Sequence, residues 1–190
     1  MRTHRSFALL ALGALAARPG DVSAQSPAAP ADSVAPAVAP ARPEDVGTID
    51  GIVAAFYDVI SGPAGAPRQW ARDRSLYLPG VRFTIVQAGP NGRARARVST
   101  HAEYVAGSEP FMVREGFFER EIHRATRRFG HIAHVWSTYE WRSTRDGPVR
   151  GRGINSLELF WDGARWWIAS AMWDDEREGS PIPPEYLPRD

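Results

Sequence analysis

The stretch that decides the fold is INSLELFWDGARWWIASAMWDDE, residues 154–176. Two runs rich in aromatic and β-branched residues flank Asp162-Gly163, and Asp-Gly is a strong signal for a tight β-hairpin. Because side chains alternate along a strand, a two-residue turn there places Trp161 and Trp166 on a core face, together with Leu157, Leu159 and Ile168. Trp167 and Trp173 fall on the opposite face. The tryptophan cluster is therefore predicted to be divided between core and outer surface.

The residues before this hairpin continue the same pattern. The run FFEREIHRATRRFGHIAHVWSTYEWRST, residues 117–144, is interrupted at Phe129-Gly130, and the next break lies at Asp146-Gly147. Together with the last hairpin, these segments predict a four-stranded antiparallel meander.

Helical patterns come earlier in the chain. Thr48 is a candidate N-cap for an amphipathic helix that ends before Gly62, and Pro67 suits the first turn of a short helix carrying Trp70. A hairpin is predicted around Asn91 and Gly92. Thr100 and Glu103 have capping-box spacing and predict a third helix that ends near Gly107 or soon after Pro110. Helices at one end of the domain and strands at the other predict an α+β fold, with the helices covering one face of a curved sheet.

The two ends of the chain differ from this domain in composition. Residues 1–24 combine early arginines, an apolar run and small residues before Gln25, which is typical of a signal peptide. Residues 25–45 form a Pro/Ala-rich linker, residues 46–176 the domain, and residues 177–190 a Pro-rich tail. We therefore expect an exported, soluble protein, periplasmic or secreted, without a membrane span in its mature form.

Charge and cysteine content narrow the function classes. The formal net charge is +1, and cleavage after residue 24 would leave −1 because it removes three arginines and one aspartate. A nearly neutral protein is not expected to bind nucleic acid. The chain has no cysteine, so its stability must come from packing rather than from disulfides.

The same strand register, carried through tight turns at Phe129-Gly130 and Asp146-Gly147, predicts polar residues on the core face. These are Glu119, Glu121, His123, His134, Thr138, Glu140 and Asn155, with Trp136 among them. Burying such groups without partners costs about 1–3 kcal/mol each, so we expect a pocket there. The outer face would carry Val135, Tyr139, Trp141, Ile154, Phe160, Trp167 and Trp173 among arginines at 120, 124, 152 and 165, which favours a homodimer packed sheet to sheet.

The order of these elements resembles the nuclear transport factor 2-like superfamily, which includes SnoaL-like and ketosteroid-isomerase-like proteins. The resemblance rests on IVAAFYDVISG (residues 52–62), PRQWARDRSLYLPG (67–80), the capped helix at Thr100 and DGARWWI (162–168). It implies a cone-shaped roll, with the N-terminal helices packed on the concave face of a curved antiparallel sheet. It also implies a pocket in that face and frequent dimerisation through the outer one.

Three functions stay open at this point. The first is binding of a small apolar or aromatic molecule without a cofactor, by Tyr57, Trp70, Glu121, His123, His134, Trp136, Thr138 and Asn155. The second is an acid/base isomerase, cyclase or dehydratase with Glu119 or Glu121 as base and His123 or His134 as acid; pairing of these glutamates with nearby arginines is the alternative. The third is a dimeric interaction module without a ligand. A His123, His134 and Glu121 metal set is conceivable, but the spacing resembles no metal motif, and no metal is predicted.

Overall fold

A computed structural model describes residues 40–189 of the 190-residue chain. The predicted signal peptide and most of the predicted linker lie outside these residues. The helices are α1 (Pro43–Val46), α2 (Ile49–Asp58), α3 (Trp70–Arg74) and α4 (His101–Glu115). The strands are β1 (Tyr77–Ala88), β2 (Ala94–Thr100), β3 (Phe118–Phe129), β4 (Ile132–Arg142), β5 (Gly151–Trp161) and β6 (Trp166–Asp175). No helix between residues 40 and 189 is long and apolar enough to cross a bilayer.

The helix caps read from the sequence are present. The Thr48 hydroxyl accepts a hydrogen bond from the Gly51 amide at 2.9 Å, and Thr100 and Glu103 form a reciprocal capping box. Helix α4 continues past both of its predicted ends to Glu115, where Gly116, at a φ of 73°, terminates it. Helix α3 begins at Trp70 rather than at Pro67.

The six strands form one sheet in the order β2-β1-β6-β5-β4-β3. Strands β3 to β6 are the predicted antiparallel meander, and β1 and β2 form the predicted hairpin. Strand β1 runs parallel to β6, so the sheet is mixed rather than fully antiparallel.

The hydrophobic core lies between α2 and the concave face of the sheet. Ile52 and Val53 of α2 are fully buried, as are Val135 of β4, Leu157 of β5 and Ile168 of β6. Burial of this apolar surface is the main force that holds helix and sheet together. The predicted α+β architecture, with helices on the concave face of a curved sheet, is therefore confirmed.

The connection between β4 and β5 corrects the predicted faces. It is a loop of residues 143–150 instead of a two-residue turn, and Trp141 pairs with Gly151. This shifts β4 by an odd number of residues against β5, which exchanges its two faces. The four side chains predicted to face the core, His134, Trp136, Thr138 and Glu140, lie on the convex face. Val135, Tyr139 and Trp141, predicted to be on the outside, lie on the concave face.

Two β-bulges make further corrections. A register shift between Glu158 and Leu159 against β6 places Trp173 opposite Asn155, on the concave rather than the outer face. A second shift between Glu121 and His123 leaves Glu121 on the concave face and turns His123 to the convex face. Beyond that shift Arg124, predicted on the outside, also lies on the concave side.

Trp161, Trp166 and Trp167 lie on the sheet faces predicted for them, although the loop of the last hairpin has four residues, 162–165, instead of two. Trp166 is buried, and the ring of Trp161 lies 5.5 Å from it. Trp167 is on the convex face, where the guanidinium of Arg165 stacks 3.6 Å from its ring centre.

Both flanking segments contact the domain. Within the predicted linker, Asp45 of α1 is buried and pairs with Arg72 at 2.7 Å. In the C-terminal tail Ile182 is buried, and the carbonyl of Tyr186 accepts a 2.7 Å hydrogen bond from Thr138. The tail therefore lies against part of the convex face.

Candidate functional site

A cavity of about 370 Å³ lies between α2, α4 and the concave face of the sheet. Its apolar lining comes from both helices, from strands β1, β4 and β6, and from the segment before β3: Phe56, Ile60, Phe83, Tyr104, Phe111, Met112, Phe117, Tyr139, Trp141 and Trp173. Four of the polar side chains that line it are Ser108, Glu119, Asn155 and Asp175. An apolar cavity of this size with a few polar groups is typical of a small-molecule site.

Two groups of aromatic rings form the walls. Phe83 and Tyr104 stack at 4.7 Å between ring centres, and Trp173 packs edge-on against both at 6.4 and 5.8 Å. In the other group Trp141 stacks on Phe117 at 5.3 Å. Such ring-to-ring contacts hold each side chain in one orientation, so the walls are rigid.

Glu119 is a half-buried carboxyl group that lines the cavity. Its backbone amide donates to the Ser61 hydroxyl at 3.0 Å, which fixes the start of β3. Within residues 40–189 its carboxyl group makes no hydrogen bond and no ion pair. Burial, and secondarily the nearby Asp175 carboxylate, raise the pKa of Glu119 to about 8. Glu119 is therefore protonated for the most part at neutral pH.

Asp175 lies at the end of β6 and is exposed, which places it at the opening of the cavity. Its carboxylate accepts a hydrogen bond from the hydroxyl of Tyr139. Burial raises the pKa of that tyrosine far above its ordinary value, with the two acidic residues adding to the shift. Tyr139 is thus a permanent hydrogen-bond donor that holds Asp175 at the opening.

A hydrogen-bonded chain runs from the cavity toward the surface. Asn155 donates to the Tyr57 hydroxyl at 3.1 Å, Tyr57 is 2.6 Å from the Ser137 hydroxyl, and Ser137 donates to Glu121. Since Ser137 has a single proton, Tyr57 must be the donor toward Ser137. Glu121 in turn pairs with Arg124 at 2.6 Å. The chain fixes the side chain of Asn155. Tyr57 stays neutral because burial raises its pKa, which outweighs the lowering by its hydrogen bonds to Ser137 and Asn155.

The structure thus brings three predicted site residues together, Tyr57, Glu121 and Asn155. Asn155 lines the aromatic cavity, whereas Tyr57 and Glu121 line a neighbouring polar cavity of about 580 Å³. Glu119 lines both cavities. Trp70 is not among the residues that line the aromatic cavity. It packs edge-on against the lining residue Tyr104, and its indole N–H donates to the Glu109 carboxylate at 2.7 Å.

The other four predicted site residues do not reach the concave cavity, since they lie on the convex face. His134 is 3.0 Å from the Ser156 hydroxyl, and Thr138 is bonded to the tail. The ring nitrogens His123 Nδ1 and Trp136 Nε1 are buried without a partner among the described residues. With Glu121 on the opposite face, His123 and His134 cannot share a metal with it.

The convex face has a smaller cavity of about 270 Å³ under the tail, where Trp136, Ser156 and Ile182 meet. We regard the concave cavity as the candidate site, because of these two it alone is lined by a half-buried carboxyl group, that of Glu119, without a hydrogen-bond or ion-pair partner among the described residues.

Sequence reasoning missed several residues of this site. The sequence predicts Glu119 as a base or as a partner of nearby arginines but does not predict it as a ligand-binding residue, and it does not point to Asp175 or Ser108. Tyr139, Trp141 and Trp173 were assigned to the outer face. The position of Glu119 was predictable, because it shares a strand face with Glu121. The position of Trp173 was not, because no feature of the sequence indicates the bulge in β6 that turns it to the concave face.

No protein-family model and no curated protein matches the chain. Among solved structures, a protein of unknown function with a cystatin-like fold from Nostoc punctiforme aligns with a TM-score of 0.51 at 9% identity, over 72% of this chain and 92% of that one. An NTF-2 like protein of unknown function from Silicibacter pomeroyi aligns at 0.47 and 12% identity, over 68% and 94%. An NTF2-like protein of unknown function from Shewanella baltica aligns at 0.40 and 10%, over 64% and 83%. The alignment with the Nostoc punctiforme protein shows a shared overall fold, which that structure's description calls cystatin-like, and at 9% identity the likeness shows the fold alone.

Proposed function

We propose that the domain binds a small, largely aromatic or apolar molecule in the concave cavity. The observation that carries the proposal is the cavity itself, about 370 Å³ of space with closely packed aromatic walls and one half-buried, unpaired carboxyl group. A filled core would have no such space, because protein interiors are packed to the density of organic crystals. Asn155 and Glu119 supply the polar contacts that orient a ligand.

Blocking the cavity tests this proposal. Ser108 of α4 lines the cavity, whereas Ala106 of the same helix is exposed. We expect some members of a library of small aromatic compounds to raise the melting temperature of the wild-type protein. Ser108→Trp should abolish these shifts by filling the space, and Ala106→Trp should preserve them. A library without hits, or hits that persist unchanged in Ser108→Trp, would show that the cavity is not a ligand site.

Acid/base catalysis of the isomerase, cyclase or dehydratase type is the second candidate. The observation that favours it is the raised pKa of Glu119, about 8, in an apolar cavity. A carboxylate with a pKa near the working pH is a stronger base than an ordinary one and its acid form is still available. Tyr139 and Asp175 add a donor and an acceptor at the opening.

A model reaction that any suitably placed base can catalyse tests catalysis separately from ligand binding. In 5-nitrobenzisoxazole a base removes the carbon-bound proton while the N–O bond breaks, and the product is a coloured nitrophenolate. If Glu119 is a base, the rate above background should rise with pH through about 8 as the carboxylate forms. Glu119→Gln should remove that increment, and Glu178→Gln, at an exposed position in the tail, should not. Equal rates in wild type and Glu119→Gln would exclude Glu119 as a base, and only the binding proposal would then remain.

We also propose that the protein is exported, on the strength of residues 1–24 and the Pro/Ala-rich segment that follows. N-terminal sequencing of the protein isolated from its native cells should find Gln25 as the first residue. An intact Met1 would contradict export by cleavage.

A further inference from the structure

We infer that the concave cavity selects a small organic cation, a substituted ammonium, over a neutral molecule of the same shape. This inference deepens the proposed function and rests on it. Three features carry it: the aromatic composition of the walls, the sign of the charged groups in the lining, and the unpaired state of Glu119.

The walls suit a cation because aromatic faces are negatively polarised. The rings of Phe83, Tyr104 and Trp173 form one wall, and those of Phe117 and Trp141 form another. An ammonium group near the face of such a ring is stabilised by about 0.5–2 kcal/mol, and desolvated sites lie at the upper end. Several rings around one cavity are the arrangement by which proteins hold quaternary ammonium groups.

The charged groups of the lining are of one sign. Glu119 and Asp175 face the cavity, and no arginine or histidine side chain lines it. The whole chain has no lysine, so no flexible ammonium group of its own can enter. The guanidinium of Arg97 lies near Gly107 at the rim, where β2 is exposed to solvent.

Arg68, which contacts the wall residue Met112, is held by backbone carbonyls. Arg68 is buried and donates to four backbone carbonyls, those of Gly62, Pro63, Ala66 and Met112. It therefore supports the wall at Met112 and is not available to neutralise Glu119. The arginines that line the neighbouring cavity together with Glu119 are also engaged elsewhere. Arg120 and Arg142 pair with Glu140, Arg124 pairs with Glu121, and Arg145 lies over the ring of Phe118. A bound cation would therefore supply the counter-charge that Glu119 lacks.

Protonation of Glu119 gives the binding a characteristic pH dependence. In the empty cavity its pKa is about 8. A bound cation favours the carboxylate and lowers that pKa, so below pH 8 binding must release a proton. The affinity for a permanent cation therefore rises with pH and levels off above about 8. The other charged groups at this cavity are Asp175, which is bonded to Tyr139, and Arg97 at the rim. On the side of the neighbouring cavity, which Glu119 also lines, the charged groups are Asp58, Arg120, Glu121, Arg124, Arg142 and Arg145.

The experiment uses benzyltrimethylammonium, a permanent cation, and neopentylbenzene, its uncharged carbon isostere. Binding to the full chain is followed by tryptophan fluorescence at pH 6 and pH 8.5, and proton release is followed by calorimetry in two buffers of different ionisation enthalpy. At pH 8.5 we expect the cation to bind at least about tenfold more tightly than the isostere, as a desolvated cation–π and carboxylate pair predicts. This preference should shrink at pH 6.

Substitutions identify the group responsible. Glu119→Gln should keep the affinity for neopentylbenzene, lose the proton release and reduce the cation preference to the part that the aromatic walls supply. His134→Gln, on the convex face, is the matched control and should change neither. Equal affinities of the wild-type protein for the two probes would overturn the inference and leave a neutral-ligand cavity. A cation preference that is undiminished in Glu119→Gln would overturn the role assigned to Glu119. Failure of both probes would overturn the inference as well, and the compound library with Ser108→Trp then decides separately whether the cavity binds anything.

Discussion

Glu119 and Glu121 are two residues apart on the same face of β3, yet only one has a counter-ion. Glu121 pairs with Arg124 and accepts a hydrogen bond from Ser137. Glu119 faces an aromatic cavity, and Arg120, its neighbour in sequence, pairs with Glu140 instead. Pairing with arginine, expected from the sequence as the alternative for both residues, therefore applies to Glu121 alone. One residue is structural and the other is available for chemistry.

This difference predicts how stability depends on pH. The pKa of Glu119 rises from 4.5 in an unfolded chain to about 8 in the folded protein. Between pH 4.5 and pH 8 the unfolded state binds fewer protons than the folded state, because Glu119 ionises first in the unfolded chain. The free energy of unfolding therefore falls as the pH rises toward 8. Glu119→Gln removes the ionisation and should raise the free energy of unfolding at pH 8.5 by roughly 1–3 kcal/mol relative to wild type, allowing for partial solvent access through the cavity.

Urea unfolding at pH 5 and pH 8.5 measures this effect. The two proteins should differ much less at pH 5, where Glu119 is protonated in the folded state. Glu178→Gln in the tail is the control and should follow wild type at both pH values. A Glu119→Gln protein that gains nothing at pH 8.5 would mean that Glu119 is not held in its acid form.

At the scale of elements, the helix caps were predictable and the strand faces were not. Thr48 and Thr100 cap their helices through hydrogen bonds to residues three positions further along the chain, so the local sequence suffices to recognise them. A face depends on every loop and bulge before it, since a single added residue reverses all side chains that follow. The β4–β5 connection is the decisive case.

That connection has a physical reason to be long. Asp146-Gly147 does form a turn, with the Gly147 amide bonded to the Thr144 carbonyl at 3.1 Å. Pro148 follows at once and has no amide hydrogen for a ladder bond, so pairing resumes only when the Arg150 amide reaches the Trp141 carbonyl at 2.9 Å. Arg142 closes the loop by donating to the Gly147 carbonyl. A proline after Asp-Gly is the signal that could have warned against a tight turn.

At the scale of the whole molecule, the convex face carries a row of large apolar side chains. The row runs in register across four strands and consists of exposed Phe129, Ile132 and Phe160 and half-buried Trp167. Phe129 is 84% and Ile132 58% exposed. Because such a row is complementary to itself about a two-fold axis, we propose that the homodimer predicted from the sequence forms there, beside the part of the face that the tail covers.

Light scattering coupled to size-exclusion chromatography tests the dimer. We expect a dimer at micromolar concentration, and Ile132→Lys combined with Phe160→Lys should convert it to a monomer by placing charges in the apolar row. Val98→Lys, at another exposed apolar position on β2, is the control and should stay dimeric. A wild-type protein that is monomeric throughout would exclude this interface.

The sequence by itself determined the longer helices and their caps, the strand meander and the α+β class. These features follow from periodicity, capping and turn chemistry, which act over a few residues. Only the tertiary structure decided which side chains share the cavity, because the β4–β5 loop and two bulges set the faces. It moved Trp173 and Tyr139 inward and His134 and Trp136 outward, and it left Glu119 without a partner. Register is a long-range property of paired strands, and no single strand records it.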